Sequence, residues 1–130
     1  MCLALKPLFD SFGVEKVIVT TMQALSGAGY PGVSSMDIVD NVIPFIYDEE
    51  EKVETEPLKI FGNFSKDKIG PASMAISAQC NRIAVKHGHT ECVSVKLSRI
   101  ATEKEVIHSF EDFTPNVALK LPSSPKHPVV

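Results

Sequence analysis

The sequence has few cysteines, and their number and spacing exclude two kinds of protein. There are three in 130 residues, namely Cys2, Cys80 and Cys92. A secreted domain held by disulfides needs a dense and even set, so that class is excluded and the reducing cytoplasm is favoured. Cys2 and Cys80 also lack zinc-ligand spacing to any partner, so no metal site is predicted.

The sequence also has no cluster of basic residues and no long apolar run. Thirteen lysines and arginines are scattered among sixteen acids, for a net charge of −3, which argues against nucleic acid as a partner. No stretch approaches the roughly 18 apolar residues of a membrane span, so no membrane is expected as a partner. The chain is 44% hydrophobic and 22% charged, which indicates one soluble domain with a core.

The first residues predict a helix that ends at Gly13. Apolar residues recur there at i, i+3, i+4 and i+7, and the glycine follows as a C-cap. Pro7 places the start of the regular helix near Lys6, or else kinks a longer helix. Since the chain opens inside this helix without a cap, we expect it to be a fragment. The apolar positions are Leu5, Leu8, Phe9 and Phe12.

An apolar run and a glycine-rich turn follow. Residues 16–22 are predicted to form a strand that is buried on both faces. The strand leads into Gln23 and the turn SGAGYPG at 26–32, where backbone N–H groups can approach a ligand closely. The G-x-G-x-x-G spacing of the turn is not a dinucleotide-binding fingerprint, because Pro31 interrupts it and no long helix follows.

The rest of the chain predicts an α+β fold: one mixed, largely antiparallel sheet with helices on one face. Two strands, about 73–85 and 90–98, are joined by Lys86-His87-Gly88, which is short enough for a hairpin. Thr102 and Glu105 form a capping box at the start of a helix. Before these strands, the sequence predicts a short amphipathic segment that is capped by Ser34 and Asp37 and runs through 42, then a helix to about 61 and a loop at 62–70. After the capping box, Val106, Ile107, Phe110 and Phe113 are predicted to form the buried stripe of that helix, and 117–121 a last strand.

Arg82 and His89 bracket the predicted hairpin and form the first candidate site. If the hairpin is centred between positions 85 and 86, their side chains lie opposite each other on one face, with Cβ atoms about 5 Å apart. An arginine can bind a carboxylate through two parallel N–H groups, and a histidine exchanges protons near neutral pH. The alternative is a surface arginine and a histidine that bonds locally in a turn, and the spacing alone favours that alternative.

Gln23, Glu56 and Lys59 are further candidates, each with an ordinary alternative. The amide of Gln23 could orient a substrate carbonyl, or it could cap the glycine turn. Glu56 and Lys59 lie three residues apart on a helix and can form a surface ion pair. Cys80 and Cys92 fall in strands, where cysteine is more typical of a core or sheet residue than of a nucleophile.

Four motifs in a fixed order resemble a known family. They are TTMQALSGAGYPG (20–32), DNVIPFI (40–46), EEEKVETEPLKI (49–60) and QCNRIAVKHGHTE (79–91). Together they resemble the catalytic and dimerisation domain of the aspartate-semialdehyde dehydrogenases, in the archaeal and fungal branch, over about residues 1–125. The resemblance implies a fold like the C-terminal domain of glyceraldehyde-3-phosphate dehydrogenase, with 126–130 as a tail.

The resemblance implies the reduction of an acyl phosphate. The family interconverts β-aspartyl phosphate and aspartate semialdehyde with NADP, through a cysteine thioester. It implies that Gln23 positions the substrate beside the nucleophile, that Arg82 grips the α-carboxylate and that His89 is the acid/base. The other implied contacts are Glu56 with the substrate amino group, Lys59 with the phosphate, and Ser26 and Gly27 with the nicotinamide.

The resemblance also implies that the chain holds only part of such an enzyme. In the family the nucleophilic cysteine lies upstream, just before the helix with which this chain opens, and Cys2 is too close to Gln23 to match it. The Rossmann domain precedes that cysteine, so NADP is expected to bind mostly outside this chain. We expect a chain that is inactive alone and forms a homo-oligomer, a dimer or tetramer, through its sheet.

Two other functions remain open. A malonyl-CoA reductase shares the scaffold implied by the resemblance, although Arg82 together with Glu56 suits the two charges of an amino acid. The second is a non-catalytic module that keeps only the dimerisation sheet.

Overall fold

The computed structural model describes residues 1–114, 121–125 and 127–129. The predicted strand at 117–121 therefore lies almost wholly outside the described residues. The chain divides into two compact units, Met1–Glu15 with Lys96–Val130 and Lys16–Val95. Among the described helices, none is long and apolar enough to cross a membrane.

In chain order the elements are α1 (Cys2–Phe12), β1 (Val14–Gln23), a 3₁₀ turn (Leu25–Ala28), α2 (Ser35–Ile38), α3 (Glu49–Ile60), β2 (Asn63–Ser65), β3 (Lys68–Gly70), β4 (Ala75–Arg82), β5 (Thr90–Leu97) and α4 (Glu103–Glu111).

In the first unit, α1 confirms the helix predicted from the apolar spacing. Leu5, Leu8 and Phe12 are buried along one side of it. It ends at Gly13, whose φ of 69° is readily adopted by glycine. The helix begins earlier than Lys6 and contains Pro7 within it, so the second of the two predicted arrangements is closer to the structure.

The predicted capping box at the start of α4 is confirmed. The Glu105 N–H donates to the Thr102 hydroxyl over 3.3 Å, and the Glu105 carboxylate accepts from the Thr102 N–H over 2.7 Å. These bonds with Thr102 hold the pKa of the Glu105 carboxyl below its ordinary value. The predicted buried stripe is wrong, because no described residue of α4 is buried and Ile107 is exposed.

In the second unit the sheet is mixed, as predicted, but its strand order differs from the prediction. The order is β4-β1-β5, and β1 and β4 run parallel, with Val17 opposite Ile76 and Gln23 opposite Arg82. The predicted hairpin between β4 and β5 is therefore wrong. The segment after β4 does not turn back on β4, because its carbonyls at Val85 and Lys86 accept N–H groups from the turn that follows β1.

β1 is buried on one face only, which corrects the prediction of burial on both. Val17 and Val19 are almost completely buried, whereas Ile18 is 63% exposed. The register places Ile18 opposite Ser77 and Thr20 opposite Gln79, and both β4 residues are exposed. We call the side formed by Ile18, Thr20, Ser77 and Gln79 the open face of the sheet.

Helix α3 connects β1 to the parallel strand β4 and packs against β4. Glu50 accepts a hydrogen bond from the Cys80 N–H over 3.0 Å, and Glu54 accepts one from the Ala78 N–H over 2.9 Å. Ile43 exchanges two backbone hydrogen bonds with Arg82 on the same side of β4. On the edge of β4 that faces away from β1, the outward-pointing N–H groups of Ala78, Cys80 and Arg82 thus all have hydrogen-bond acceptors.

Two local predictions in the second unit are wrong. Residues 62–70 contain the antiparallel pair β2–β3, in which Phe64 lies opposite Ile69, rather than a plain loop. The piece predicted to run through 42 forms a helix only over Ser35–Ile38, and the Ser34 side chain makes no capping hydrogen bond. The secondary structure that short polar segments such as these adopt depends on contacts with residues distant in sequence.

Candidate functional site

The candidate site lies where the parallel strands β1 and β4 end. Their last residues, Gln23 and Arg82, are paired in the register and are 7% and 6% exposed. A crevice beyond the carboxyl ends of parallel strands is a common place for a ligand. A nearly buried guanidinium needs hydrogen-bond acceptors or an anion, so its placement here requires an explanation.

The backbone of Ala24 connects Arg82 to His89. The Ala24 carbonyl accepts from Arg82 Nη1 over 2.8 Å, and the Ala24 N–H donates to His89 Nδ1 over 3.0 Å. Ala24 itself is completely buried. One residue of the chain therefore positions both side chains, and the rest of the Arg82 fork stays available for a second acceptor.

Gly27 lies against both side chains. A Cβ atom at this position would be 3.0 Å from Arg82 Nη1 and 3.1 Å from His89 Cε1. The turn around it is held by two hydrogen bonds, from Leu25 N–H to the Val85 carbonyl and from Ser26 N–H to the Lys86 carbonyl. A side chain at 27 would therefore push Arg82 or His89 aside by a few tenths of an ångström. We call Gln23, Gly27, Arg82 and His89 the strand-end cluster.

The structure thus brings Arg82 and His89 together by a route that the sequence did not predict. They were expected to face each other across a hairpin, but His89 lies just before β5, which is separated from β4 by β1. What joins them is the turn after β1. The hairpin geometry was wrong because strand order depends on contacts that are distant in sequence.

Glu49 is a residue of the site that sequence reasoning missed. Its carboxylate accepts from Gln23 Nε2 over 3.0 Å. Lys52, one turn further along α3, has its Nζ 3.6 Å from the other carboxylate oxygen of Glu49. A signal is present in the sequence, because α3 carries the pattern E-x-x-K twice, at Glu49–Lys52 and at Glu56–Lys59.

Glu56 and Lys59 lie outside these contacts. Both are exposed, and they follow the first pair by seven residues, or about 10 Å along a helix axis. Their roles in binding the amino group and the phosphate stay predictions. Of the two pairs, the first is the one bonded to Gln23.

Cys80 is a core residue rather than an accessible thiol. It is fully buried on β4, opposite Thr21. Burial raises the pKa of its thiol above the ordinary value, and the carboxylates of Glu50, Glu49 and Glu54 add to that rise. A protonated, inaccessible thiol is a poor nucleophile. The described residues contain no group of three or more His, Cys, Asp or Glu that could hold a metal ion.

Comparison with known proteins shows close similarity over the whole chain. An aspartate-semialdehyde dehydrogenase of Archaeoglobus fulgidus is 50% identical over 130 residues, which is all of this chain and 37% of the relative. A crystal structure of aspartate semialdehyde dehydrogenase with NADP from Candida albicans superposes with a TM-score of 0.83 at 39% identity, covering 95% of this chain and 36% of that one.

A relative of lower identity has a different activity. A malonyl CoA reductase (NADP) of Metallosphaera sedula is 36% identical over 129 residues, which is 97% of this chain and 36% of the relative. This chain therefore spans little more than a third of the length of the proteins that it resembles.

A family model described as the dimerisation domain of semialdehyde dehydrogenase matches residues 5–130. The match covers nearly the whole chain, including both strands that end at the cluster. The chain belongs to the semialdehyde dehydrogenase dimerisation-domain family.

Proposed function

We propose that this chain is the catalytic and dimerisation part of an NADP-dependent aspartate-semialdehyde dehydrogenase. The proposed reaction is the reversible conversion of β-aspartyl phosphate to aspartate semialdehyde, a step toward lysine, threonine and methionine. The observation that carries the proposal is the nearly buried Arg82 beside His89 and Gln23. The chain spans 37% of its Archaeoglobus relative, so the activity is proposed for a longer protein that contains this chain.

Arg82 and Glu49 are the proposed contacts for the two charges of the substrate. The guanidinium is oriented by the Ala24 carbonyl and has further N–H groups for the α-carboxylate. The Glu49 carboxylate suits the ammonium group, and Lys52 beside it suits the phosphate. Binding a small substrate at its two charged ends confines its reacting carbon to a narrow volume. This positioning raises the rate of the reaction, because less entropy is lost on reaching the transition state.

Gln23 and His89 are the proposed groups at the reacting carbon. The Gln23 amide is oriented by Glu49, so its carbonyl oxygen points in a defined direction. His89 is exposed, and because its Nδ1 bonds to Ala24, its Nε2 is the ring nitrogen that can meet a substrate oxygen. The thiol that forms the thioester is proposed to come from the longer protein, because Cys80 is fully buried.

Ser26 and Gly27 are proposed to lie against the nicotinamide of NADP, which supplies hydride chemistry when bound. Both residues are exposed, and Gly27 carries no side chain at a point close to Arg82 and His89. This fits the approach of a planar ring. The rest of the cofactor is proposed to be bound outside this chain.

The open face of the sheet is the proposed site of self-association. Ile18 is an apolar side chain that lies exposed in the middle of a strand, and large exposed apolar areas usually mark interfaces. The matched family is described as a dimerisation domain. We propose a homo-oligomer, a dimer or tetramer, located in the cytoplasm. Light scattering of the wild-type chain and of Ile18→Lys would test this, and an unchanged oligomer in the variant would contradict it.

The proposed activity can be tested in the longer protein that carries this chain. Aspartate semialdehyde, phosphate and NADP should give NADPH, measured by its absorbance, and malonyl-CoA with NADPH should give no turnover. Arg82→Lys should lower kcat/KM for the semialdehyde by about 100-fold, since a point charge replaces a two-pronged donor. Lys86→Ala, at an exposed side chain nearby, is the control. Turnover of malonyl-CoA instead would favour the reductase alternative.

A further inference from the structure

The segment between α2 and α3 is bonded to the end of β4 at Ile43. The Ile43 N–H donates to the Arg82 carbonyl over 3.0 Å, and the Arg82 N–H donates to the Ile43 carbonyl over 2.8 Å. On its other side Arg82 lies opposite Gln23, and the Ile83 N–H donates to the Gln23 carbonyl over 3.0 Å. The backbone of Arg82 therefore lies between Ile43 and the end of β1.

The chain returns to the same place at Glu49, the first residue of α3, whose carboxylate accepts from Gln23 Nε2 over 3.0 Å. These contacts close a ring. Ile43 bonds to Arg82, and Arg82 is paired with Gln23. Gln23 bonds to Glu49, and residues 44–48 complete the ring along the chain. The length of that segment sets an upper limit on how far Glu49 can lie from Ile43.

Residues 44–48 are restrained at both ends. The segment begins with Pro44, whose ring restricts the residue before it to extended conformations, and the bridge from Ile43 to β4 requires such a conformation. The segment ends in a turn, in which the Glu49 N–H donates to the Ile46 carbonyl over 3.2 Å. A short segment with both ends restrained has few other conformations, so the separation of its ends is nearly fixed.

We propose that residues 44–48 set the position of Glu49 against Gln23, with the Ile43–Arg82 bridge as the fixed end. The segment is then a positioning element that acts through its length and its backbone. In the proposed reaction it also fixes the separation between Arg82 and Glu49, which are the proposed contacts for the two charges of the substrate. This last consequence rests on the proposed function, whereas the ring of contacts does not.

A pair of glycine insertions tests the importance of the length. One glycine inserted between Pro44 and Phe45 lengthens the ring, whereas one inserted between Asn41 and Val42 lies just outside it. All four flanking residues are exposed, so neither insertion places new atoms in the core. The two variants are therefore matched in composition and differ only in whether the ring is lengthened.

The measurement is the position of the Gln23 side-chain amide signals in ¹H–¹⁵N NMR spectra of this chain. The sequence contains two glutamines, and the other, Gln79, is exposed, so Gln79→Glu assigns both sets of signals. The bond to Glu49 should separate the Gln23 signals from those of Gln79. The insertion inside the ring should move them most of the way to the Gln79 position, and the insertion outside should leave them in place.

Protection of the Ile83 N–H from exchange shows in each variant that the strand ends are formed. In variants that pass this check, a shift caused by the inner insertion alone supports the proposal. Equal shifts in both variants, no shift in either, or a shift caused by the outer insertion alone overturns it.

A second variant keeps the length and loosens the restraint, and it decides the matter if the inner insertion does not fold. Pro44→Gly should make the Arg82 N–H exchange with solvent about fivefold faster relative to the Ile83 N–H, because position 43 is no longer restricted. Pro71→Gly, at an exposed proline before β4, is the matched control and should change that ratio by less than about twofold. A ratio that does not rise in Pro44→Gly, or that rises equally in both variants, overturns the proposal.

Kinetics in the longer protein separate this proposal from the proposed function. The inner insertion should lower kcat/KM for aspartate semialdehyde by about tenfold or more, and the outer insertion should stay within about twofold. Equal activity of the two variants would overturn the positioning role. If the NMR shifts occur as expected and the wild-type longer protein shows no dehydrogenase activity, the proposed function fails and the positioning of Glu49 stands.

Discussion

The two ends of α3 carry the same pair of residues at the same spacing, yet it is the N-terminal pair that contacts the strand-end cluster. At the N-terminal end, Glu49 bonds to Gln23 and pairs with Lys52. At the C-terminal end, Glu56 and Lys59 are exposed. The comparison teaches that a motif on a helix has no location until the helix is placed, because two turns move a side chain by about 10 Å.

The largest expected effect comes from neutralising the glutamate of each pair in the longer protein. Glu49→Gln should lower kcat/KM for aspartate semialdehyde by about 100-fold, since it removes the charge that orients Gln23 and that is proposed to bind the ammonium group. Glu56→Gln is the matched control and should stay within about twofold. If Glu56→Gln gave the large loss and Glu49→Gln did not, the C-terminal pair would be the ligand set.

A smaller effect is expected from the two lysines. Lys52→Ala should raise KM for phosphate by about tenfold, which corresponds to about 1.4 kcal/mol, a modest value because the side chain is half exposed. Lys59→Ala should leave that KM unchanged. Steady-state kinetics with varied phosphate measures both, and equal values for the two variants would remove the distinction between the pairs.

The N-terminal end of α3 is also expected to stabilise the folded chain, through Glu50. Glu50→Ala removes the acceptor of the Cys80 N–H and should lower the free energy of unfolding by about 1–3 kcal/mol. Glu51→Ala, at the adjacent exposed position, should change it by less than about 0.5 kcal/mol. Urea unfolding of this chain measures both, and Glu50→Gln, which keeps an acceptor oxygen, should recover most of the loss.

The smallest effect concerns the thiol that these carboxylates surround. Because burial raises the pKa of Cys80 in the folded chain, the folded state holds this proton to a higher pH than the unfolded state. The contribution to stability is therefore complete below the ordinary thiol pKa and is lost as pH rises through the folded pKa. Urea unfolding at several alkaline pH values should show a shallower decline in Cys80→Ala than in the wild type. Parallel declines would contradict this.

Much of the local structure could be predicted, because it depends on neighbours in sequence. The end of α1 at Gly13 and the capping box of Thr102 and Glu105 follow from rules that operate within a few residues. The strand order did not follow, because it depends on a segment after β4 bonding to a turn some 60 residues earlier. The burial of β1 was overstated for a related reason, since an apolar run does not say how many faces are covered.

The candidate site was predicted in part. Gln23, Arg82 and His89 were singled out and are brought together around Ala24. No pattern in the sequence predicts that Ala24 positions Arg82 and His89, because it does so through backbone N–H and C=O groups that every residue except proline possesses. The choice between two identical E-x-x-K pairs likewise required the position of α3 beside β4.

The carboxylates along β4 have a consequence for how copies of this chain can add to one another. Ala78, Cys80 and Arg82 already have partners on the outer edge of β4, so a further strand meets occupied groups there. In the described part of the chain, the other outer strand of the sheet is β5. Growth of the sheet by strand addition is thereby blocked at β4, and the proposed association through the open face does not compete with it. A sheet with one edge closed cannot extend in both directions as a fibre does.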